Sequence, residues 1–379
     1  MTPKGLRDHE PGRILVVNAG SSSLKLSVLD GEDRVVLAES LPTPRGRLDE
    51  SAVRDVLERG RPIGAAGHRI VHGGTEFTEP VLIDARVTRR LEALTDLAPL
   101  HQPKSLRALA LVGRLLPEVP AVASFDTAFH AGLPAAAATY ALPPEWRRRF
   151  ELRRFGFHGL AHAYLSRRAA ELLGRPAAEL RIVTGQLGAG GSLAAVHGGR
   201  SVDTTMGFTP LEGLVMATRS GSVDPGLVLW LEEHVGMPPS ELAATLEHRS
   251  GLLGLTGSAD MRAIEAAAAG GDPAAGLALD VYAHRLRGAI AAMAAAMGGI
   301  DALVFGGGVG EHSAAVRARA ADGLSFLGVA LDQRANDSAR PDCEVSAAGA
   351  AVRTFVVETR EDLQIAGDVR QVLGLASLA

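Results

Sequence analysis

Several short stretches of the sequence hold side chains suited to binding and moving anions. The loop Asn18-Ala19-Gly20-Ser21-Ser22-Ser23, followed closely by Lys25, sets three consecutive hydroxyls beside a glycine and an amine. Such a loop offers many donors to a phosphate or a hydrated metal, although a plain polar β-turn reads the same way. Lys25 is notable because the chain has only three lysines, Lys4, Lys25 and Lys104. No GxxxxGK[ST] pattern is present, so P-loop chemistry is not expected. Arg69, in Gly67-His68-Arg69-Ile70-Val71-His72-Gly73-Gly74, and Arg219, in Thr218-Arg219-Ser220-Gly221, each stand near glycine at an expected strand end. A guanidinium there can hold a carboxylate or phosphoryl group in two-pronged fashion, and a surface ion pair is its commoner fate.

Histidines and a carboxylate extend the set. The ten residues Arg153–His162 contain two arginines, two histidines and two phenylalanines. Either histidine alone reads as a core residue, whereas the cluster favours an anion site. Asp126 follows the apolar run Ala121–Phe125, a position where a carboxylate serves metal or proton chemistry. Gly306-Gly307-Gly308-Val309-Gly310-Glu311 follows the apolar run Asp301–Phe305 and precedes a helical stretch, Ser313–Ala321. Strand, glycine turn and helix N-terminus receive phosphate or nucleotide in many folds; the glycines can equally serve close packing.

The elements that must position these groups alternate between strand and helix. Ile14–Val17 and Leu24–Leu29 read as strands flanking the serine loop, and Asp30-Gly31 closes the second. A similar layout returns 168 residues later, with Arg13-Ile14 matching Arg181-Ile182, Gly20 matching Gly188 and Val28 matching Val196. Two such β-loop-β units suggest a duplicated fold. Ala163–Leu173, Ser240–Glu247 and Gly276–Met297 carry helical patterns. The fold class is therefore α/β. Pro134 and Pro143-Pro144 mark the expected domain seam.

Composition narrows the function. A chain of 379 residues suggests two domains. With 39 basic and 43 acidic residues the net charge is −4, which argues against nucleic acid as the main partner. The single Cys343 permits no intrachain disulfide and suits a reducing, cytoplasmic setting. The first 13 residues are polar with two acidic residues and do not read as a signal peptide; Ala289–Ile300, the most apolar helical stretch, is too short to span a bilayer. No membrane partner is expected.

Together the segments NAGSSSLKLSV, GHRIVHGG, APLHQPKSL, SFDTAFHAGLP, RRFGFHGLAH, SVDTTMGFTPLEGLVMATRSGSVDP, SGLLGLTGSADMRAIE, FGGGVGEH and ETREDLQIAGD resemble the acetate kinase family, from about residue 14 to 370. The resemblance implies the two-domain duplicated architecture of actin, Hsp70 and sugar kinases (ribonuclease H-like), with the active site in the interdomain cleft. The implied domains are 12–131 plus 364–379, handling the acyl group, and 132–363, binding the nucleotide. The implied reaction is the reversible, magnesium-requiring transfer of a phosphoryl group from ATP to acetate, giving acetyl phosphate and ADP, with manganese a possible substitute for magnesium. A homodimer is implied by the family alone.

Carried over residue by residue, Asn18 and Glu361 resemble the metal pair. Ser21, Ser23 and Lys25 would face the phosphates. Arg69 and Arg219 would flank the carboxylate and the transferring group, His158 would stabilise that group, and Asp126 would orient nucleophile or metal. Val71, Leu100, Phe157 and Pro210 resemble the acyl pocket. Gln186, Leu187, Gly188, Ala189 and Gly190 resemble the phosphate loop. Asp260, Met261 and Arg262, with Gly308, Val309, Gly310, Glu311 and His312, resemble the adenosine loops. Three departures stand out: Gln186 and Ala189 where the family reads His and Asn, His312 where it reads Asn, and Arg360 where an Asn usually precedes the acidic pair. The alternatives are a kinase for propionate or another short acid, and a nucleotide-binding switch that has lost catalysis.

Overall fold

The computed structural model describes residues 12–20, 23–44, 47–98 and 102–375. Twelve strands form two six-stranded sheets among them. The first sheet contains β1 (Arg13–Ala19), β2 (Ser23–Leu29), β3 (Val35–Pro42), β4 (Ile63–Ile70), β5 (Val81–Leu82) and β6 (Ala121–Phe125). The second contains β7 (Arg181–Leu187), β8 (Gly191–His197), β9 (Arg200–Thr204), β10 (Ala302–Gly306), β11 (Cys343–Glu344) and β12 (Arg353–Val356). Their spatial orders are β3-β2-β1-β4-β6-β5 and β9-β8-β7-β10-β12-β11, so each sheet repeats the other strand for strand.

Pairing directions repeat as well. β1–β2 and β7–β8 are antiparallel; β1–β4, β4–β6, β7–β10 and β10–β12 are parallel. β7 begins 168 residues after β1 and β8 begins 168 after β2, with equal lengths, so the weak internal repeat in the sequence marks a real structural duplication. This is the duplicated α/β fold of the actin and sugar-kinase type. β1, β7 and β10 are buried along most of their length, and β1 and β10 accordingly read as near-continuous apolar runs, while β7 buries Thr184 and Gly185 beside Ile182 and Val183.

The chain divides into two compact units, one drawn from Met1–Ala131 and Arg360–Ala379, the other Gly132–Thr359. In the first unit, the helix Glu361–Leu373 lies on β4 and β1. Gly67 permits that approach, because a Cβ there would collide with Ile365 and Val369. Glu361 is thereby carried on the helix whose buried side chains Ile365, Ala366 and Val369 anchor it. In the second unit, the helix Pro273–Ala296 buries Leu279, Tyr282, Leu286, Ile290 and Met293 in the main core. Each large apolar side chain so buried contributes about 1.5–3 kcal/mol.

Candidate active site

In the first unit, the chemistry collects at the carboxyl ends of the parallel strands β1, β4 and β6, where open α/β sheets bind ligands. Asn18 is the penultimate residue of β1, Arg69 the penultimate residue of β4, and Asp126 directly follows β6. Arg69 Nε donates to Asp126 Oδ1 at 2.9 Å and Nη2 donates to Oδ2 at 2.5 Å, while Nη1 donates to Asn18 Oδ1 at 3.1 Å. Asn18 Nδ2 donates to Glu361 Oε2 at 2.8 Å. Burial by itself would pull the Arg69 guanidinium down, but Asp126 and then Glu361 outweigh it and hold the group above its ordinary range. All four predicted residues therefore meet, and the Arg69 fork is occupied by an internal carboxylate.

Magnesium takes oxygen donors and keeps several waters, needing only one or two carboxylates beside substrate phosphates. The donor set fits. Glu361 remains 17% exposed, and its Oε1 makes no hydrogen bond among the described residues. No group of three His, Cys, Asp or Glu side chains suited to a metal occurs among the described residues, so a closed, all-protein cage is not built here. Lys25 lies opposite Asn18 in the β1–β2 register and is exposed, and Ser23 O accepts from Gly20 N at 2.9 Å. Ser21 and Leu100 lie outside the described residues. Val71 is 5% exposed and sits just past the end of β4, in a bend. Strand alternation therefore does not place it on the face of Arg69.

In the second unit, His158 and Arg219 converge on the loop between β7 and β8. A Cβ built on Gly190 would lie 3.4 Å from Arg219 Nη1, 3.5 Å from His158 Cε1 and 3.6 Å from His158 Nε2. His158 enters the helix Gly159–Leu173 in left-handed conformation, φ 58°. For a non-glycine residue this is an uncommon state that the surroundings must hold in place. Its Nδ1 lies 2.9 Å from Ser192 Oγ, Ser192 Oγ lies 2.8 Å from His162 Nε2, and His162 Nδ1 lies 2.8 Å from Thr184 Oγ1. Ser192, His162 and Thr184 are fully buried. Arg219 donates to Pro210 O at 3.3 Å, and no carboxylate lies within ion-pair distance of it among the described residues. Burial lowers its pKa against a smaller opposing effect of Glu247, and a guanidinium stays charged regardless. Phe157 is buried beside His158 in sequence, and Pro210 is half-buried.

Arg154 departs from the anion-site expectation for its cluster. It donates to Glu212 Oε1 at 2.7 Å and to the carbonyls of Thr204, Thr205 and Met206, so its charge is consumed in holding backbone. Tyr140 donates to the other Glu212 oxygen at 2.6 Å, and burial pushes the phenol up to about 12.

A cavity of about 570 Å³ opens beside this loop. Gly188 and Ala189 line it, together with Asp260, Met261, Arg262, Gly308, Val309 and His312. The three separate stretches predicted for the nucleotide thus share one pocket. Asp260 caps the helix Met261–Ala269 and pairs with the exposed Arg262 at 3.2 Å. Leu187 is buried, and Gln186, Leu187, Gly190, Gly310 and Glu311 do not line the cavity. Gln186 Oε1 accepts from Thr359 Oγ1 at 2.8 Å, and Thr359 Oγ1 accepts from Gly307 N at 2.9 Å. Glu311 Oε1 accepts from Gly307 N at 2.9 Å and from Thr359 N at 3.0 Å. Two of the predicted residues therefore brace the glycine turn from behind. Arg360, the third departure, pairs with Asp362 at 2.8 Å.

Some contributors escape sequence reasoning. Thr359, Ser192 and Thr184 carry no motif signal of their own. Arg317, 2% exposed, donates to the carbonyls of Gly310 and Glu311 and to Asn336, fixing the C-terminal end of the helix Gly307–His312. Glu265 and Ser313 hydrogen-bond each other at the cavity wall, and Glu265 could have been suspected from its place in the ADMRAIE segment. No helix among the described residues is long and apolar enough to cross a membrane.

Comparison with known proteins gives a consistent result. The sequence profile of the acetokinase family matches residues 47–367. The acetate kinase of Shouchella clausii is 43% identical over 387 aligned residues, covering 94% of this chain and 98% of that protein. The crystal structure of Porphyromonas gingivalis acetate kinase superposes with a TM-score of 0.88 at 35% identity, covering 95% of this chain and 99% of the other. A propionate kinase from Francisella tularensis matches with a TM-score of 0.88 at 33% identity and the same coverage.

Proposed function

Because the chain belongs to the acetokinase family, we propose that it transfers the γ-phosphoryl group of ATP to acetate, reversibly, giving acetyl phosphate and ADP. The observation that carries this reading is the convergence of Arg219, in no ion pair among the described residues, and His158 on Gly190, in the same loop whose Gly188 and Ala189 line the 570 Å³ cavity. A cation and a ring N–H beside a nucleotide-sized pocket suit a phosphoryl group more than a metabolite carbon.

The chemistry follows from charge. A carboxylate is already a competent nucleophile, so no strong base is needed. The oxygen of acetate forms a bond to the γ-phosphorus as the bond to the β,γ-bridging oxygen breaks, and ADP leaves with that electron pair. The obstacle is repulsion between two anions and the need for an in-line approach. Arg219 offsets charge on the transferring group, and His158 donates to its oxygens as charge spreads over them. Ser192 fixes the His158 ring so that Nδ1 is engaged and Nε2 is presented. The Gly188–Gly190 loop of the second unit lets backbone approach the phosphates, and Lys25 and Ser23 of the first unit are assigned as further donors to phosphate.

Arg69, held by Asp126, presents an oriented positive edge to the acid's carboxylate, and Val71 of the first unit and Phe157 and Pro210 of the second are the apolar side chains assigned to the methyl group. Asn18 and Glu361 are suited to hold magnesium, which would neutralise charge on the β- and γ-phosphates, while Asp126 orients Arg69 beside them. The exposed apolar side chains Leu227, Leu229 and Trp230 on the helix Pro225–Glu233, which buries no residue of its own, support a homodimer joined through that helix. A reducing, cytoplasmic setting suits the single Cys343.

The test is a hydroxamate trap. Incubation with ATP, magnesium, acetate and hydroxylamine should yield acetyl hydroxamate, as hydroxylamine attacks the acetyl phosphate carbonyl and releases phosphate, in proportion to ADP formed. ATP binding without hydroxamate from acetate, propionate or butyrate would support the switch reading instead.

A further inference from the structure

The first unit carries a second cavity, of about 660 Å³, that no step of the reaction uses. It lies over the sheet face opposite the helix Glu361–Leu373. Gly67 meets that helix, so its strand neighbours Ala66 and His68 point the other way, and both line the cavity. Its walls come from the helices Ala85–Ala93 and Gln102–Leu115 and from the turn after them. Leu82, Leu106, Leu109, Val112 and Leu116 make the surface aliphatic.

At its floor sits one polar ring. His68 is 2% exposed, and its Nδ1 is sealed from solvent without a hydrogen-bond partner. Burial lowers the imidazole pKa to about 4, so the ring is neutral under ordinary conditions. Nε2 is then the polar atom left to meet an occupant. Among the described residues no arginine or lysine lines the cavity, whereas Glu92 and Glu118 do. Anions are therefore disfavoured: a carboxylate or phosphate would find no cation and two like charges. The volume is that of a small-molecule site.

We propose that this cavity binds a small uncharged aliphatic molecule bearing one hydroxyl, an aliphatic alcohol, with the chain along the leucines and the hydroxyl on His68. A hydroxyl is both donor and acceptor, so it matches the imidazole in either tautomer. His68 adjoins Arg69 on β4, so an occupant touches the reverse face of the strand that carries the Arg69–Asp126 pair.

Calorimetric titration of the full chain with butan-1-ol, hexan-1-ol and octan-1-ol, under saturating ADP and acetate, tests the site. One molecule should bind per chain, tightening about fourfold per added methylene until the cavity is full. Sodium hexanoate should not bind. Gly113 lines the cavity and a Cβ built on it meets nothing within 4 Å, so Gly113→Phe should fold, keep its activity and lose alcohol binding. His68→Leu should weaken binding about tenfold, the loss of one hydrogen bond. Absence of saturable binding to the wild type, undiminished binding by Gly113→Phe, or hexanoate binding as tightly as hexan-1-ol would each overturn the proposal. If His68→Leu fails to fold, Gly113→Phe decides.

Discussion

Arg69 and Asp126 hold each other through two parallel hydrogen bonds, of 2.9 and 2.5 Å, with side chains 14% and 1% exposed. Among the described residues Arg219 has no such partner; its side chain donates to the Pro210 carbonyl at 3.3 Å and contacts the Met216 sulfur. The two arginines, alike in sequence context, should therefore fail differently. Arg69→Ala leaves Asp126 buried and unpaired, which costs about 3–5 kcal/mol of stability as well as activity. Arg219→Ala should stay within about 1 kcal/mol of wild-type stability while kcat falls by roughly 10²–10³-fold. Thermal melts beside kcat measurements separate the cases, and equal destabilisation by both would refute the contrast.

The contrast lay beyond the sequence. Asp126 is 57 residues from Arg69, and only the parallel register that pairs Arg69 with Ser124 brings the carboxylate alongside. The duplication, by contrast, was legible, because β7 has the seven-residue length of β1 and begins with Arg181-Ile182 where β1 begins with Arg13-Ile14, with Gly188 following it as Gly20 follows β1. The end of β4 is not legible in the sequence: the apolar pattern runs on past Ile70 to Val71, but the strand stops at Ile70, before Gly73-Gly74. Thr359 escaped notice because a single threonine with a backbone-bracing role has no spacing signature.

Ser192 sits between two histidines, 2.9 Å from His158 and 2.8 Å from His162. Ser192→Ala removes the hydrogen bond that sets the His158 ring. We expect kcat to fall about tenfold, the worth of one hydrogen bond, with KM for ATP unchanged. A rise in KM alone would assign Ser192 to nucleotide binding instead.

Gln186 accepts from Thr359, which braces Gly307 at the start of the helix bearing Gly308, Val309 and His312. Gln186→Ala strands that hydroxyl and should raise KM for ATP about fivefold, leaving acyl preference alone. Gln186→His supplies a neutral ring nitrogen as acceptor and should restore KM. A large gain in kcat with His would instead mark the native loop as catalytically impaired.

Val71 is buried where the chain leaves β4, beyond Arg69. If it closes the acyl pocket, acetate is preferred over propionate, and Val71→Ala narrows or reverses that preference. One methylene is worth about 1–3 kcal/mol in such a pocket, so the kcat/KM ratio should shift by roughly 10- to 200-fold. A core role alone would lower both substrates together and leave their ratio untouched.

The central claim is that an oxygen of the acid attacks the γ-phosphorus. Phosphorus NMR of the reaction with ¹⁸O-labelled acetate, ATP and magnesium tests this atom by atom. The account predicts that the isotope-shifted signal appears on the phosphorus of acetyl phosphate, with unlabelled ADP as the other product. Label on the phosphorus of acetyl-AMP, or of AMP once its acyl group is hydrolysed, with pyrophosphate released, would mean attack at the α-phosphorus and would contradict it.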